Sequence, residues 1–196
     1  MKDLIEAIIK DYIEILGVIT SILFTLFSIK QKPIAWVFGI FSAIFYAIVF
    51  YQNTLYDEMG LQGYYFVISI YGWFHWLKGK KQDGSGKQLP VQQISFKLLM
   101  IVLIFGIAIN LLLWFINKSD YPFMDSFITT VSIAATWLLA RKFIESWIIW
   151  IVIDIIAVGF YAYIKLYPTT ILFIVYSVLA FIGYFEWKKD YKKIAS

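Results

Sequence analysis

The stretch WIIWIVIDIIAVGFYAYIK, from Trp147 to Lys165, is apolar along nearly its whole length and contains a single acid, Asp154. A helix of about 20 apolar residues crosses the hydrocarbon core of a bilayer, which is about 30 Å thick. A carboxylate in the middle of such a helix is costly unless it has a partner or a function. The stretch therefore predicts a membrane span and makes Asp154 a candidate functional residue.

The composition extends this prediction to the rest of the chain. The 196 residues are 61% hydrophobic and their mean hydropathy is +0.76, which is more apolar than a water-soluble domain of this size can hide. Cysteine is absent, and His75 is the only histidine. These counts exclude disulfides, a cysteine nucleophile and a metal site built on thiolates or several histidines, so we expect neither a metal nor a cofactor.

Seven apolar segments approach the length of a membrane span, and together they predict an all-α integral membrane protein with seven transmembrane helices. The linker KGKKQDGSGKQLP, Lys78 to Pro90, separates three spans from four and is predicted to be an exposed loop. The predicted spans are Tyr12–Ile29, Ile34–Tyr51, Met59–Leu77, Phe96–Ile116, Asp125–Ala140, Trp147–Ile164 and Thr169–Trp187.

The distribution of Lys and Arg predicts the orientation of the chain. Four of the 17 basic residues fall on one side of the spans and the other thirteen on the opposite side. Basic residues accumulate on the cytoplasmic side, so the N-terminus should lie outside and the C-terminus in the cytoplasm. The turn with Arg141, Lys142 and Glu145 is interpreted as a cytoplasmic surface turn. Because topology explains the net charge of +4, we expect no nucleic-acid partner.

Acidic and basic residues are mixed before the first span, unlike in a cleaved leader, so this span is predicted to remain as a membrane anchor.

A shift of 111 residues aligns the chain with itself. Fifteen of the 65 positions from Glu14 to Lys78 are identical in the two copies, including Trp36 with Trp147 and Gly72 with Gly183. The sequence thus predicts a 3+1+3 parallel repeat: a first three-helix bundle over residues 1–78, a loop and connecting helix over 79–117, and a second bundle over 118–196. Parallel repeats place a substrate site where the halves meet, near the bilayer midplane, so transport is the leading hypothesis.

Asp154 is not part of the repeated scaffold, because the equivalent residue is Ala43. Spacings of three, four and seven place an aromatic set on the same helix face as the acid: Trp147, Trp150 and Tyr161. A carboxylate among aromatic rings suits a flat organic cation. The alternative is that Asp154 bonds a hydroxyl or amide on a neighbouring helix.

The third span carries a second stripe at helical spacings: Gln62, Tyr65, Ser69, Trp73 and Trp76. Its amide and hydroxyl groups could bond the polar edge of a heterocycle stacked between rings. The alternative is that the aromatic residues are interfacial anchors, which are common near the ends of spans. A buried amide such as that of Gln62 needs partners, so the anchor interpretation does not explain it.

Asp125 and Ser126 lie at the outer start of the fifth span, after a proline. A carboxylate there is favoured by the helix dipole, and Asp is a good N-cap residue. The alternative is a role at an outer mouth or gate that attracts a cation.

Several motifs together resemble the PnuC-type vitamin transporters, whose members carry nicotinamide riboside or, in related branches, thiamine or riboflavin. The motifs are WVFGIFSAIFYAIVFYQNTLY, YGWFHW at Tyr71–Trp76, YPFMDSF, and ARKFIESWIIW leading to Asp154. The resemblance implies a SWEET-like fold in the bacterial inner membrane and a homotrimer with a pore in each protomer. It also implies facilitated diffusion of the unphosphorylated substrate, which a cytoplasmic kinase then traps.

By the same resemblance, the substrate region includes two sets of residues. They are Trp147, Trp150 and Asp154 in the sixth span, and Gln62, Tyr65 and Trp73 in the third. Family members that carry nicotinamide riboside have asparagine at the position of Asp154. This departure slightly favours thiamine, with nicotinamide riboside close behind, since both have a cationic ring.

Three other classes of membrane protein compete with a transporter. A retinal-type sensory protein needs a lysine in its last span, and Thr169–Trp187 has none. An intramembrane enzyme needs a nucleophile with a base, or a metal cluster, and the spans do not supply such a set. A substrate-binding subunit would depend on a separate energy-coupling module, whereas duplicated halves can supply both gates. The binding subunit and the sensory protein are the alternatives to a transporter, and an enzyme is not expected.

Overall fold

The computed structural model of the chain is all-helical, and every predicted span forms a helix. It describes the backbone of residues 2–82, 89–116 and 120–195, and the side chains of residues 12–55, 58–78, 89–116 and 120–193. The helices are α1 Lys2–Ile29, α2 Ile34–Gln52, α3 Tyr56–Gln82, α4 Phe96–Ile116, α5 Pro122–Ala140, α6 Glu145–Tyr163 and α7 Tyr167–Ala195.

Six of the helices in the described part of the chain are long and apolar enough to cross a membrane. The exception is α3, because polar residues such as Gln62, Ser69 and His75 interrupt its apolar sequence. These are in part the residues predicted to face a substrate, so α3 combines membrane-spanning length with a polar stripe. Its crossing of the bilayer stays a prediction.

The exposed loop predicted to begin at Lys78 is wrong over its first five residues, because α3 continues to Gln82. Lysine is a good helix former, so the basic residues prolong the helix. Residues 83–88 of the predicted loop lie outside the described residues, as does Lys118, one of the basic residues on which the predicted orientation depends.

The predicted N-cap of α5 is also wrong. The capping position is Tyr121, Pro122 occupies the first turn, and Asp125 lies one turn in, with its N–H donating to the Tyr121 carbonyl at 3.1 Å. Proline is favoured at the first helical position because it has no N–H to satisfy there. The carboxylate of Asp125 still lies in the first turn, where the helix dipole favours it.

The chain divides into two compact units, Met1–Leu89 and Pro90–Ser196. In the first unit α2 packs against both α1 and α3. The joint between α2 and α3 is built on Trp36, which is buried and lies edge-on to Trp76 with ring centroids 5.4 Å apart. Gly72 lies directly under the Trp36 ring and leaves no room for a side chain.

In the second unit α5 packs against α4 and α6, and α6 packs against α7. The joint between α6 and α7 repeats the tryptophan pair, with Trp147 edge-on to Trp187 at 5.5 Å. A side-chain carbon at Gly183 would lie 2.6 Å from the Trp147 ring. The 111-residue repeat seen in the sequence thus recurs in the packing within each unit.

The turns repeat as well. Gln31 and Lys142, 111 residues apart, have positive φ angles of 53° and 59°, and so do Thr54 and Lys165 at 59° and 63°. Non-glycine residues seldom adopt this left-handed conformation. Its recurrence at both pairs of positions shows that the two units share their backbone turns.

The turn between α5 and α6 is held by an extended segment. The Gln92 N–H donates to the Lys142 carbonyl at 2.9 Å, and the Ile144 N–H donates to the Gln92 carbonyl at 3.0 Å. A Glu145 carboxylate oxygen accepts the Ile94 N–H at 3.1 Å. We call this arrangement the α5–α6 clasp.

The clasp corrects the interpretation of residues 141–145 as a plain surface turn. Lys142 is only 1% exposed, and its carbonyl accepts the hydrogen bond from the Gln92 N–H of the extended segment. The guanidinium of Arg141 lies over the Trp137 ring at 5.6 Å. The basic residues of this turn are therefore packed rather than freely solvated.

Candidate functional site

Asp154 lies in the middle of α6 and is 2% exposed. Its Oδ1 atom is buried and has no hydrogen-bond partner among the described residues. An unpaired carboxylate oxygen in the interior of a membrane helix is expensive. The described part of the second unit therefore does not support the alternative that a neighbouring hydroxyl or amide satisfies this oxygen.

Two contacts with α7 bracket Asp154, each two helical turns away. On one side Trp147 packs on Gly183 and Trp187, and on the other side Tyr161 stacks on Phe173 with centroids 5.2 Å apart. Residues seven apart share a helix face, so this face of α6 points towards α7. The α7 segment between the two contacts contains the buried Ala180 and the half-buried Tyr176.

Asp154 shares its depth in the bundle with two hydroxyls on neighbouring helices. It lies nine residues from each end of α6. Thr130 lies ten residues from the end of α5, at the α5–α6 turn, and Ser177 lies ten from the start of α7, at the α6–α7 turn. At 1.5 Å per residue, Asp154 lies about 14 Å and each hydroxyl-bearing residue about 15 Å from the connecting turn. We call Thr130, Asp154 and Ser177 the mid-depth polar layer.

Both hydroxyls of this layer are buried without a hydrogen-bond partner among the described residues. Unsatisfied buried hydroxyls are uncommon, because each costs free energy that a partner would recover. One acid and two hydroxyls without partners at one depth can offer an anionic acceptor and two donors to a bound molecule. The sequence interpretation had not included Thr130 or Ser177.

The predicted gate residues differ in their surroundings. Ser126 is buried on the packed face of α5, one turn before Thr130, and its hydroxyl also has no partner in the described part of the chain. Asp125 is half-buried at the helix start. Ser126 thus extends the column of hydroxyls from the mid-depth polar layer towards the predicted outer end of α5.

The two predicted tryptophans of α6 have different environments. Trp147 is buried in the joint with α7, as its repeat partner Trp36 is in the joint with α3, and this packing explains the ring without a ligand. Trp150 is half-buried, one turn from Asp154, and its repeat partner is Gly39. The second unit therefore has an aromatic ring, that of Trp150, one turn from its acid, and the first unit has no ring at the equivalent position.

The second predicted stripe lies on α3 in the first unit. Gln62 and Ser69 are buried, whereas Tyr65 and Trp73 are half-buried. Ser69 sits in the joint with α2, since a side-chain carbon at Gly39 would lie 2.7 Å from its hydroxyl. The structure thus places the stripe partly in the packing of the first unit, and its contact with a substrate stays a prediction.

Comparison with known proteins relates the chain to one family. The family model described as nicotinamide mononucleotide transporter matches residues 11–189. The nicotinamide riboside transporter PnuC of Escherichia coli (strain K12) is 26% identical over 204 residues, which cover 90% of this chain and 84% of that protein. The riboflavin/roseoflavin transporter RibM of Streptomyces davaonensis is 25% identical over 183 residues, covering 88% and 81%.

A solved structure has a similar fold. The crystal structure of the vitamin B3 transporter PnuC superposes with a TM-score of 0.75 and 23% identity, and the match covers 93% of this chain and 83% of that one. The chain therefore has the all-helical membrane fold of that transporter, which confirms the predicted all-α membrane class. The SWEET-like arrangement stays a prediction.

Proposed function

The chain belongs to the nicotinamide mononucleotide transporter family, and we propose that it carries an unphosphorylated vitamin or vitamin precursor with a cationic ring across the membrane. Its relatives named above are transporters, of nicotinamide riboside in one case and of riboflavin in another. We propose facilitated diffusion, driven by the substrate's own gradient and maintained by a cytoplasmic kinase that traps the product.

The buried carboxylate of Asp154 carries the proposal. It has no cationic partner among the described residues, so a cationic ring would supply the missing charge. Two opposite charges attract strongly where water is excluded. The same carboxylate would repel a phosphate group, which supports the riboside over the mononucleotide as the substrate.

Trp150 and the two hydroxyls complete the proposed site within the second unit. The half-buried ring of Trp150 lies one turn from Asp154 and offers its face to a flat cation. Thr130 and Ser177 can donate hydrogen bonds to the polar edge of the substrate. We keep Gln62 and Tyr65 as proposed substrate-binding residues on the family resemblance alone.

Nicotinamide riboside is the first candidate, because two further relatives, from Neisseria mucosa and Haemophilus influenzae, are also named for it, at 26% and 22% identity. Thiamine is the second candidate. It is favoured by Asp154 itself, because thiamine too has a permanently charged ring that a full carboxylate neutralises. The homotrimer and the SWEET-like arrangement belong to the proposal through the family resemblance, and the outward N-terminus through the distribution of Lys and Arg.

Calorimetric titration of the purified protein tests the substrate class. Nicotinamide riboside, thiamine and riboflavin are titrated in turn into the parent protein, into Asp154→Asn and into Asp190→Asn. The control makes the same chemical change at an exposed acid that pairs with Lys193 at 3.6 Å. We expect one of the two cations to bind the parent and the control equally and Asp154→Asn on the order of tenfold more weakly, the size of a charged hydrogen bond.

Tighter binding of riboflavin than of either cation would overturn the cationic substrate. Binding of a cation that Asp154→Asn leaves unchanged would keep the substrate class but remove Asp154 from the site.

A further inference from the structure

A cleft of about 190 Å³ lies between the start of α6 and the charged end of α7. Two lysines line it, Lys188 and Lys192, which are one turn apart on α7 and so share a face. The Lys188 ammonium donates to the Tyr184 hydroxyl at 3.2 Å, and the ring of Tyr184 also lines the cleft. The cleft therefore concentrates positive charge and a phenol group in one concave surface.

The neighbouring lysines of α7 differ in this respect. Lys189 is paired with Glu186 at 2.8 Å and Lys193 with Asp190 at 3.6 Å. Among the described residues, neither Lys188 nor Lys192 has such an ion pair. In the part of the chain that the structure describes, the two lysines that line the cleft are thus the ones at this helix end whose charge no acidic side chain neutralises.

The cleft also has apolar lining residues. Ile144 and Ile148 line it at the start of α6, and Ile148 begins a stripe of exposed side chains that continues with Val152 and Ile155. Residues four and three apart follow one helix face, so the stripe runs from the cleft along α6. A ligand that fits both kinds of lining residue has an anionic head and a hydrocarbon tail.

The cleft also lies at the depth of a membrane surface. The 29 residues of α7 make a helix about 43 Å long, which exceeds the hydrocarbon thickness of about 30 Å. Its apolar part ends at Trp187, and Lys188 follows directly. Because the charge count predicts that this end is cytoplasmic, the cleft would open at the leaflet that is rich in anionic lipids.

We propose that this cleft binds the phosphate headgroup of an anionic phospholipid from the cytoplasmic leaflet. Lys188 and Lys192 neutralise the phosphate, and an acyl chain lies along the Ile148 stripe. Glu145 also lines the cleft, but one of its carboxylate oxygens already accepts the Ile94 N–H, and two lysines outweigh its single charge. Basic pockets between membrane helices are known to bind such headgroups.

The test measures stabilisation of the detergent-purified full chain by added lipid. Phosphatidylglycerol, zwitterionic phosphatidylcholine and soluble glycerol phosphate are titrated while the thermal unfolding midpoint is recorded. We compare Lys188→Gln/Lys192→Gln with Lys189→Gln/Lys193→Gln, a control pair that removes the same charge from adjacent positions of the same helix. Without lipid, the midpoint of each variant shows whether it is folded.

We expect phosphatidylglycerol alone to raise the midpoint of the parent and of the control pair. The cleft pair should bind it about 25-fold more weakly, since each of its two lysines near a charged membrane contributes about a fivefold change in affinity. Equal weakening in both pairs would overturn the proposal in favour of a general charge effect. Glycerol phosphate as effective as phosphatidylglycerol would indicate a soluble anion instead of a lipid.

A second variant tests the hydrocarbon part if the lysine pair does not fold. Ile148→Ser changes one exposed side chain at the head of the stripe and should reduce the shift caused by phosphatidylglycerol. An unchanged shift would contradict the placement of the acyl chain.

Discussion

In the first unit, the buried residue in the middle of α2 is Ala43, and the equivalent residue of α6 in the second unit is the buried Asp154. The joints around these two positions are alike, with a tryptophan over a glycine in each unit. The scaffold repeats without the carboxylate of Asp154, so the fold itself does not require this charge. This difference supports the proposal that Asp154 contacts the substrate.

The aromatic bulk near these positions also differs between the units. In the first unit Phe24 lies edge-on to Trp36 at 5.2 Å, and a side-chain carbon at Gly39 would lie 3.1 Å from Phe24. The second unit has Ala135 in place of Phe24 and Trp150 in place of Gly39. In the second unit the aromatic ring therefore lies on α6, the helix that carries Asp154, where it can contact a cation.

The largest expected effect tests the shared joint. Trp36→Ala and Trp147→Ala should each lower the free energy of unfolding by about 3–5 kcal/mol, because each leaves a large cavity over a glycine. Denaturant titration of the protein in detergent measures both, with Trp114→Ala, an exposed ring of α4, as the control. A small stability loss for Trp147→Ala together with lost substrate binding would make that ring part of the site.

The second largest effect is expected when the residues that differ between the units, Ala43 and Asp154, are substituted. Ala43→Asp should destabilise the protein by about 2.5–3.5 kcal/mol, the cost of an aspartate at the centre of a membrane helix. Asp154→Ala should instead stabilise it by about 1 kcal/mol, since it removes an unpaired buried charge. Both are measured without substrate by thermal unfolding. A destabilised Asp154→Ala variant would indicate a partner for the carboxylate in the folded chain.

The smallest effect concerns the α5–α6 clasp of the second unit. Glu145→Gln weakens the hydrogen bond from the Ile94 N–H and should cost about 1 kcal/mol locally. Hydrogen exchange should therefore speed up at Ile94, with Glu186→Gln, an exposed acid of α7, as the control. Unchanged exchange at Ile94 would mean that the backbone pairing of Gln92 holds the clasp by itself.

The helices were predictable because a membrane span has a length requirement that apolar runs reveal. The ends of the helices were less predictable. Helix α1 begins ten residues before its predicted start, and α7 continues eight residues past Trp187. Once a helix leaves the hydrocarbon, polar residues can prolong it at little cost, and hydropathy no longer marks where it stops. The clasp was not predicted because pairing between Gln92 and Phe143 is non-local and has no pattern in the sequence.

The candidate site was predictable only in part. Asp154 stood out because one charge in an apolar run is conspicuous, but hydroxyls in such runs are ambiguous. Thr136 and Thr170 donate to carbonyls four residues earlier, whereas Thr130 does not. A threonine can satisfy itself within its own helix, so the sequence does not distinguish a satisfied hydroxyl from one without a partner. Only the structure, which shows that the hydroxyls of Thr130 and Ser177 are buried without a partner among the described residues, identifies the mid-depth polar layer.

The most direct measurement compares nicotinamide riboside with its uncharged dihydro form, which has nearly the same shape. Both are titrated into the parent protein and into Asp154→Asn by calorimetry. We expect the parent to bind the cation on the order of tenfold more tightly than the neutral form, and the variant to lose that preference. Equal binding of the two forms by the parent, or an undiminished preference in the variant, would contradict the role of Asp154 as the counter-charge of the substrate.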